Sequence, residues 1–357
     1  MKLAVVGAGA GGLAVAGHAG LAGHEVSVHD VRPEAVDVLA ARGGVEVTGA
    51  EEGFAPVAAA SLDSAVVRGA DLVVIVTPGP DQGAAVRGIA GYVGESRLVL
   101  VMPGRTGGAL EAAVVLAEAG AEVPVAETDA FPFTCSTPAP ATSHIASVEN
   151  RFGVAALPPA RAREAVSIVR ELLAQAEPVE SVLHTGLSNM DAILHLAPMV
   201  TNAGRIEHEG GSFDLYGDGV TPAVARVMGA TDGERLAVGA ALGLDLPSLL
   251  EWIRAAHGLG EQNLHAAIQS LQREVCGPTP APASLEHRYL TEAVQCGAVP
   301  LVSLGRQLGV EVDVTDHCVE LACVLLGRDV RATGRTVERL GLGGLDAEAI
   351  RSRLLPG

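Results

Sequence analysis

Three glycines spaced for phosphate chemistry open the chain. Leu3-Ala4-Val5-Val6 is an apolar run that passes directly into Gly7-Ala8-Gly9-Ala10-Gly11-Gly12, so Gly7, Gly9 and Gly12 satisfy G-x-G-x-x-G. In a strand-turn-helix setting the first glycine permits the tight turn, the second lets backbone approach a pyrophosphate, and the third lets the helix pack on the sheet. The helix N-terminus then offers free N–H groups and the positive end of its dipole to the phosphates. The next apolar run, residues 25–29, ends in Asp30. A carboxylate there suits the ribose hydroxyls of NAD, while Arg32 two residues on keeps a 2′-phosphate, and so NADP, open. Asp30 as a simple cap for the helix starting at Pro33 is the plain alternative. Thr77 and Pro78 end a further strand, and residues 102–108, Met-Pro-Gly-Arg-Thr-Gly-Gly, end the one after. Both sit where an open α/β sheet puts its ligand, and the second is a candidate wall for the nicotinamide or plain turn punctuation.

Hydride transfer needs a proton partner, and lysine is nearly excluded from that role. Of 24 basic residues only Lys2 is lysine, at the foot of the first strand. Among eleven histidines, His195 stands out on a predicted helix, one turn after Asp191 and with Asn189 nearby. A carboxylate four residues before a histidine can share its helix face. By pattern alone this pair is either catalytic or a satisfied core histidine.

The elements around these residues follow two textures. Up to residue 183, short β-branched runs alternate with Ala-rich helical stretches, the signature of a parallel sheet. Strands are expected at 3–6, 25–29, 71–77, 97–102, 122–127, 144–147 and 153–157, with 179–182 as the last. Helices are expected at 12–22, 33–42, 82–92, 108–119 and 160–175. From residue 184 the pattern becomes helical, at 186–207, 221–242, 246–256, 261–272, 289–308, 314–326 and 347–354. The expected architecture is therefore an α/β protein: a Rossmann-type domain over residues 1–183 and an all-α substrate and dimerisation domain over 184–357.

At this level of detail the residues resemble the opine dehydrogenases, of the octopine/nopaline and N-(1-carboxyethyl)-amino-acid type. The resemblance covers nearly the whole chain. It rests on Glu180-Ser181-Val182-Leu183-His184-Thr185, on Ser188-Asn189 leading to His195, on Thr201-Asn202-Ala203-Gly204-Arg205-Ile206-Glu207, and on His287-Arg288-Tyr289-Leu290-Thr291-Glu292 followed by Gly297-Ala298-Val299-Pro300-Leu301. Gly334-Arg335-Thr336-Val337-Glu338-Arg339-Leu340 and, in the first half, Glu127-Thr128 with Phe133-Thr134-Cys135 are similar again.

The resemblance implies an NAD(P)H-dependent reductive condensation, in which an amino acid or amine and an α-keto acid form an imine that is reduced to a secondary amine. It puts His195 at the catalytic histidine, Arg288 at the arginine that pairs with the keto-acid carboxylate, and Thr128 on the substrate side. An ion pair with Glu292 is the plain alternative for Arg288. The family's Arg-Tyr-x-x-Glu signature usually continues with Asp, the carboxylate that partners the histidine, and here that position is Ala293. Asp191 is the first candidate to replace it and Glu292 the second. Leu196 and Ser136 also depart from the family pattern. These departures leave room for a reductase of a preformed imine or carbonyl, or for a cofactor-binding protein that has lost catalysis.

Composition narrows the field further. The chain has 357 residues, 42 acidic against 24 basic, and a formal net charge of −18, which repels polyanions and argues against nucleic acid. No run of apolar residues is long enough for a membrane span and none has signal-peptide form, so a cytoplasmic location is expected. Five cysteines without a C-x-x-C pair are expected to be reduced, and no metal is expected. The family likeness suggests a homodimer.

Overall fold

The computed structural model describes residues 1–356. It forms two compact units, Met1–Gly186 together with the chain end from Leu354, and Leu187–Arg353.

The first unit holds twelve strands: β1 (Lys2–Val6), β2 (Glu25–His29), β3 (Gly44–Gly49), β4 (Gly53–Pro56), β5 (Ala59–Ser61), β6 (Leu72–Ile75), β7 (Leu98–Val101), β8 (Val125–Thr128), β9 (Phe133–Ser136), β10 (Thr142–Val148), β11 (Phe152–Leu157) and β12 (Ala176–Pro178). Its helices are α1 (Ala10–Leu21), α2 (Pro33–Arg42), α3 (Gln82–Ile89), α4 (Gly108–Glu118), α5 (Ala162–Leu172) and α6 (Val182–Leu187), the last running just past the unit's end. Eight strands form one sheet in the order β12-β11-β8-β7-β6-β1-β2-β5, parallel at every pairing except β11 with β8. The central strands read Leu-Val-Val-Ile and Leu-Val-Leu-Val, fully buried, as helix cover on both faces of a parallel sheet demands. Strand order turns between β1 and β6, and the crevice at their carboxyl ends is where such sheets bind ligands.

A second sheet, β4-β3-β10-β9, escapes the sequence reading in part. It packs on α1, where a side chain on Gly17 or Gly20 would run into Val47 or Ala55. The signal was present: buried Val45 and Val47 alternate with part-exposed Glu46 and Thr48, the period of a strand covered on one face. The last strand of the large sheet also needs correction. It lies at Ala176–Pro178, ahead of the expected 179–182, and Val182 already begins α6.

The second unit is helical: α7 (Met190–Thr201), α8 (Ala203–Glu209), α9 (Pro222–Ala241), α10 (Leu249–His257), α11 (Leu264–Leu271), α12 (Arg288–Ala293), α13 (Val299–Leu308), α14 (Asp313–Leu326) and α15 (Ala347–Leu354). Two expected long helices are broken. The 186–207 stretch divides before Met190 and at Asn202, and 289–308 divides at a π turn, Val294–Ala298. Pro300 explains the second break, because it has no N–H to give to the carbonyl of Cys296 four residues back. Asn189 Nδ2 donates to that carbonyl instead, at 3.3 Å, and so ties the start of α7 to the π turn. Beside it Gly297 lies so close to Ala192 that an added Cβ would sit 2.3 Å from the alanine Cβ. These contacts hold α7 and α12 together, and the site in this unit lies between them.

Candidate active site

In the first unit Gly7 leaves β1 with φ +108°, a conformation that favours glycine, and its N–H donates to His29 O at 2.8 Å. The three glycines then differ in what surrounds them. A Cβ on Gly12 would lie 1.7 Å from Gly7 O, so this position is closed by packing of α1 on the turn. A Cβ on Gly9 would meet nothing within 4 Å. Gly9 is also the N-cap of α1 and has no side chain to satisfy the first amides. Open space, free helix amides and a glycine make a cradle for a phosphate. Across the crevice Thr77 Oγ1 is buried without a hydrogen-bond partner, as a hydroxyl awaiting a polar ligand would be. The cradle fits a dinucleotide, which Gly7, Gly9 and Gly12 would hold at the pyrophosphate, with Thr77 and Pro78 following β6.

Asp30 is almost fully buried at the end of β2, where its carboxylate is fastened on both sides. Oδ2 accepts from Ala8 N at 2.5 Å and Arg32 Nη2 at 2.9 Å, and Oδ1 from Arg32 N at 2.8 Å and Nε at 3.0 Å. Burial by itself would raise this carboxyl's pKa, but the bonds from Arg32 and the Ala8 amide outweigh it and hold it below 3.8. Arg32, half exposed, has its own pKa raised by the same contact. The two residues that argue for NAD and for NADP thus form one ion pair.

The turn after β7 is anchored from below. Glu127, fully buried, accepts from Ala109 N at the head of α4 and from Thr185 Oγ1, while Gln82 Nε2 donates to Pro103 O at 2.8 Å and Gly104 N to Thr128 O at 2.9 Å. Thr128 is fully buried and gives its hydroxyl to Ala130 O at 2.7 Å. Glu127, read in the sequence only as part of the family pattern, fixes this loop together with Gln82.

In the second unit α12 packs on α7 and the Tyr289 ring lies flat on the His195 imidazole, centroids 3.9 Å apart and planes 12° apart. On the ring's edge, Tyr216 OH and His195 Nδ1 are 2.8 Å apart. Sequence reasoning passed Tyr216 over, because it sits in the Gly- and Asp-rich loop after α8, far along the chain. The loop is nonetheless built: Asp214 Oδ1 accepts from Tyr216 N and Gly217 N, and Gln269 Nε2 donates to Tyr216 O. Asp191 lies in the first turn of α7, one turn before His195, and its charge helps raise the Tyr216 phenol.

Arg288 and Glu292 form the ion pair that was the plain alternative. Nε and Nη2 both donate to Glu292 Oε2, at 3.1 and 2.7 Å. Glu292 is nearly buried while Arg288 is half exposed, so the carboxylate grips one edge of the guanidinium and the Nη1 edge faces outward. That edge is free to take a second carboxylate. Ala293 is buried in an apolar cluster with Leu196, Met199 and Leu290.

The glycine crevice at the switch point of a mostly parallel sheet, in a chain whose other half offers a clamped imidazole and an aimed guanidinium, defines a nicotinamide-dinucleotide dehydrogenase. Comparison with known proteins narrows the class. The family described as "NAD/NADP octopine/nopaline dehydrogenase, alpha-helical domain" matches residues 178–326. A curated opine dehydrogenase of Arthrobacter sp. (strain 1C) is 36% identical over 98% of this chain and 97% of its own length. The protein ocs of Agrobacterium vitis is 28% identical over 86% of this chain and 85% of its own. A solved octopine dehydrogenase with NADH and L-arginine superposes with a TM-score of 0.82, at 19% identity, over 99% of this chain and 98% of that one. The chain belongs to the opine dehydrogenase family, and is thus an NAD(P)-dependent dehydrogenase acting on CH–NH bonds. No helix among the described residues is long and apolar enough to cross a membrane.

Proposed function

We propose that this enzyme joins the amine of an amino acid to the carbonyl of an α-keto acid and reduces the resulting imine, giving a secondary amine, NAD(P)⁺ and water. The bound nicotinamide supplies the hydride. What supports the reading is the grouping on α7 and α12, where the stacked Tyr289 fixes His195 and the neighbouring Arg288 turns its Nη1 edge outward.

Arg288 takes the keto-acid carboxylate on that outward edge, while Glu292 aims the guanidinium from behind. His195 is the side chain placed to give a proton to the departing hydroxyl as the imine forms and to take one back from the amine, the general acid and base work imidazole does best near neutrality. Asp191, one turn away, adds negative charge near this ring. Thr128, on the substrate side by family likeness, has its hydroxyl bonded to Ala130 O within its own turn and supports the end of β8. The Asp30–Arg32 pair meets the adenosine ribose, with NAD the expected cofactor and NADP accommodated if Arg32 swings out. Family likeness supports a cytoplasmic homodimer, which light scattering checks.

The test is NADH oxidation with a panel of amino acids, each with pyruvate, glyoxylate or 2-oxoglutarate. Oxidation that needs both partners is the expected result. Equal turnover with a keto acid alone makes the enzyme a carbonyl reductase, and NADH binding without turnover makes it a binding protein.

A further inference from the structure

The partner of the catalytic imidazole is a neutral hydroxyl, and the structure around that hydroxyl is built to hold it. Tyr216 OH has His195 Nδ1 as its hydrogen-bond partner, at 2.8 Å. Its backbone is tethered at both its N–H and its carbonyl, and the residues that hold it are themselves tied. Asp214 Oδ1 accepts from Tyr216 N at 3.0 Å and Gly217 N at 2.8 Å, Asp214 Oδ2 accepts from Gln272 Nε2 at 2.6 Å, and Gln269 Nε2 donates to Tyr216 O at 2.9 Å. Asn202 Nδ2, at the end of α7, donates to Gly219 O at 3.0 Å and closes the loop against the helix that carries His195. Tyr289 covers one face of the imidazole, and His287 meets the edge of Tyr289 at 89°. The ring cannot tilt without leaving the stack.

Between a neutral phenol and a neutral imidazole the phenol is the stronger acid, so the hydroxyl donates and the ring nitrogen accepts. The direction of the bond therefore assigns the tautomer. Burial, followed by the charges of Tyr289, Asp191, Cys276 and Asp214, raises the phenol well above its ordinary value of 10, so the proton stays on the oxygen through the neutral range.

We propose that Tyr216 is the positioning residue of the reaction, its hydroxyl donating to His195 Nδ1 and so setting the resting imidazole with its own proton on Nε2. This rests on the reading above, in which His195 acts on the substrate. A neutral partner orients the ring as a carboxylate does, without adding a charge that favours imidazolium. Proton donation through Nε2 is thereby prepared in the resting enzyme. When the ring is doubly protonated, the same hydroxyl rotates and accepts from Nδ1–H.

The experiment uses the full-length enzyme and two readouts. Nitrogen NMR of the imidazoles, with His195 assigned by its loss in His195→Gln, is expected to show Nδ1 unprotonated and Nε2 protonated in the neutral wild-type ring. Tyr216→Phe keeps the aromatic body, and it is expected to shift the ring toward a mixture of tautomers. Removing this donor from Nδ1 should also lower kcat about tenfold, with KM for the amine and keto acid little changed. Protonated Nδ1 in the neutral wild-type ring overturns the proposal even if the variant fails to fold. A folded Tyr216→Phe whose kcat stays within about twofold of wild type overturns it as well. Loss of turnover in His195→Gln with no effect of Tyr216→Phe overturns this inference alone; wild-type turnover in His195→Gln overturns the functional reading instead.

Discussion

The two sites of this chain are built on opposite plans. Most of the dinucleotide crevice comes from residues 7–32, one strand end, one turn, one helix start and an aspartate that folds back onto Ala8, with Thr77 and Pro78 after β6 beside the turn. The helical site draws Asp191 and His195 from α7, Tyr216 from a loop and Arg288, Tyr289 and Glu292 from α12, and depends on Gln269 and Gln272 only to hold the loop. A site of the first kind is specified by backbone geometry, which glycine spacing encodes directly. One of the second kind is specified by helix packing, so its partners can be exchanged while its geometry is kept. Here position 293 is an alanine and a tyrosine hydroxyl lies at His195 Nδ1.

The largest effect should separate the sites cleanly. His195→Ala is expected to cut turnover by a factor of about 10²–10⁴ while leaving NADH binding, read by fluorescence titration, unchanged. A fall in nucleotide affinity of the same size would mean the two sites are not independent. Within the crevice, the two glycine contacts predict opposite failures. Gly12→Ala forces a methyl into Gly7 O and should cost about 3 kcal/mol of stability, seen as a lower melting temperature. Gly9→Ala has room for its methyl and should melt like wild type, yet bind NADH about tenfold more weakly because the methyl fills the phosphate space.

Arg288→Gln sharpens the comparison on the helical side. It removes a charge-assisted contact with the keto acid, and should raise KM for that substrate about 10- to 100-fold with NADH affinity intact. A variant with unchanged keto-acid KM would leave the arginine with its ion-pair role alone.

The smallest effect concerns Asp30. Its pKa in the folded state lies below its ordinary value of 3.8, so its ionised form contributes stability that is present above that value and is lost as pH falls through the folded one. Asp30→Asn should therefore melt lower than wild type at pH 7, by about 1 kcal/mol because the Arg32 arm is half exposed, and the two should converge as pH falls through the lowered folded pKa. A gap that does not narrow as the pH is lowered would locate the contribution in packing.

What the sequence discloses follows the same division. The strand into Gly7-Ala8-Gly9-Ala10-Gly11-Gly12, the aspartate at the end of β2 and the change of texture before the helical half are local patterns, and local patterns can be read along a chain. The second sheet was partly lost because β4 and β9 have four residues each and the turn from β3 to β4 is made of glycine and acidic residues, although Val45 and Val47 kept their alternation. The helix breaks are legible only with hindsight of contacts, since Pro300 predicts a lost hydrogen bond but not that Asn189 would take up the orphaned carbonyl. Tyr216 carried no periodic or spacing signal at all. Its role depends on a loop returning to α7, and one sequence holds no record of that distance.

The most direct measurement follows the transferred hydrogen itself. NADH deuterated at the transferring position, incubated with enzyme, pyruvate and an amino acid that supports oxidation, is expected to yield a secondary amine carrying one deuterium on the former keto-acid carbon, read by mass spectrometry. Deuterium found instead in a 2-hydroxy acid, with no label joined to nitrogen, would contradict the account.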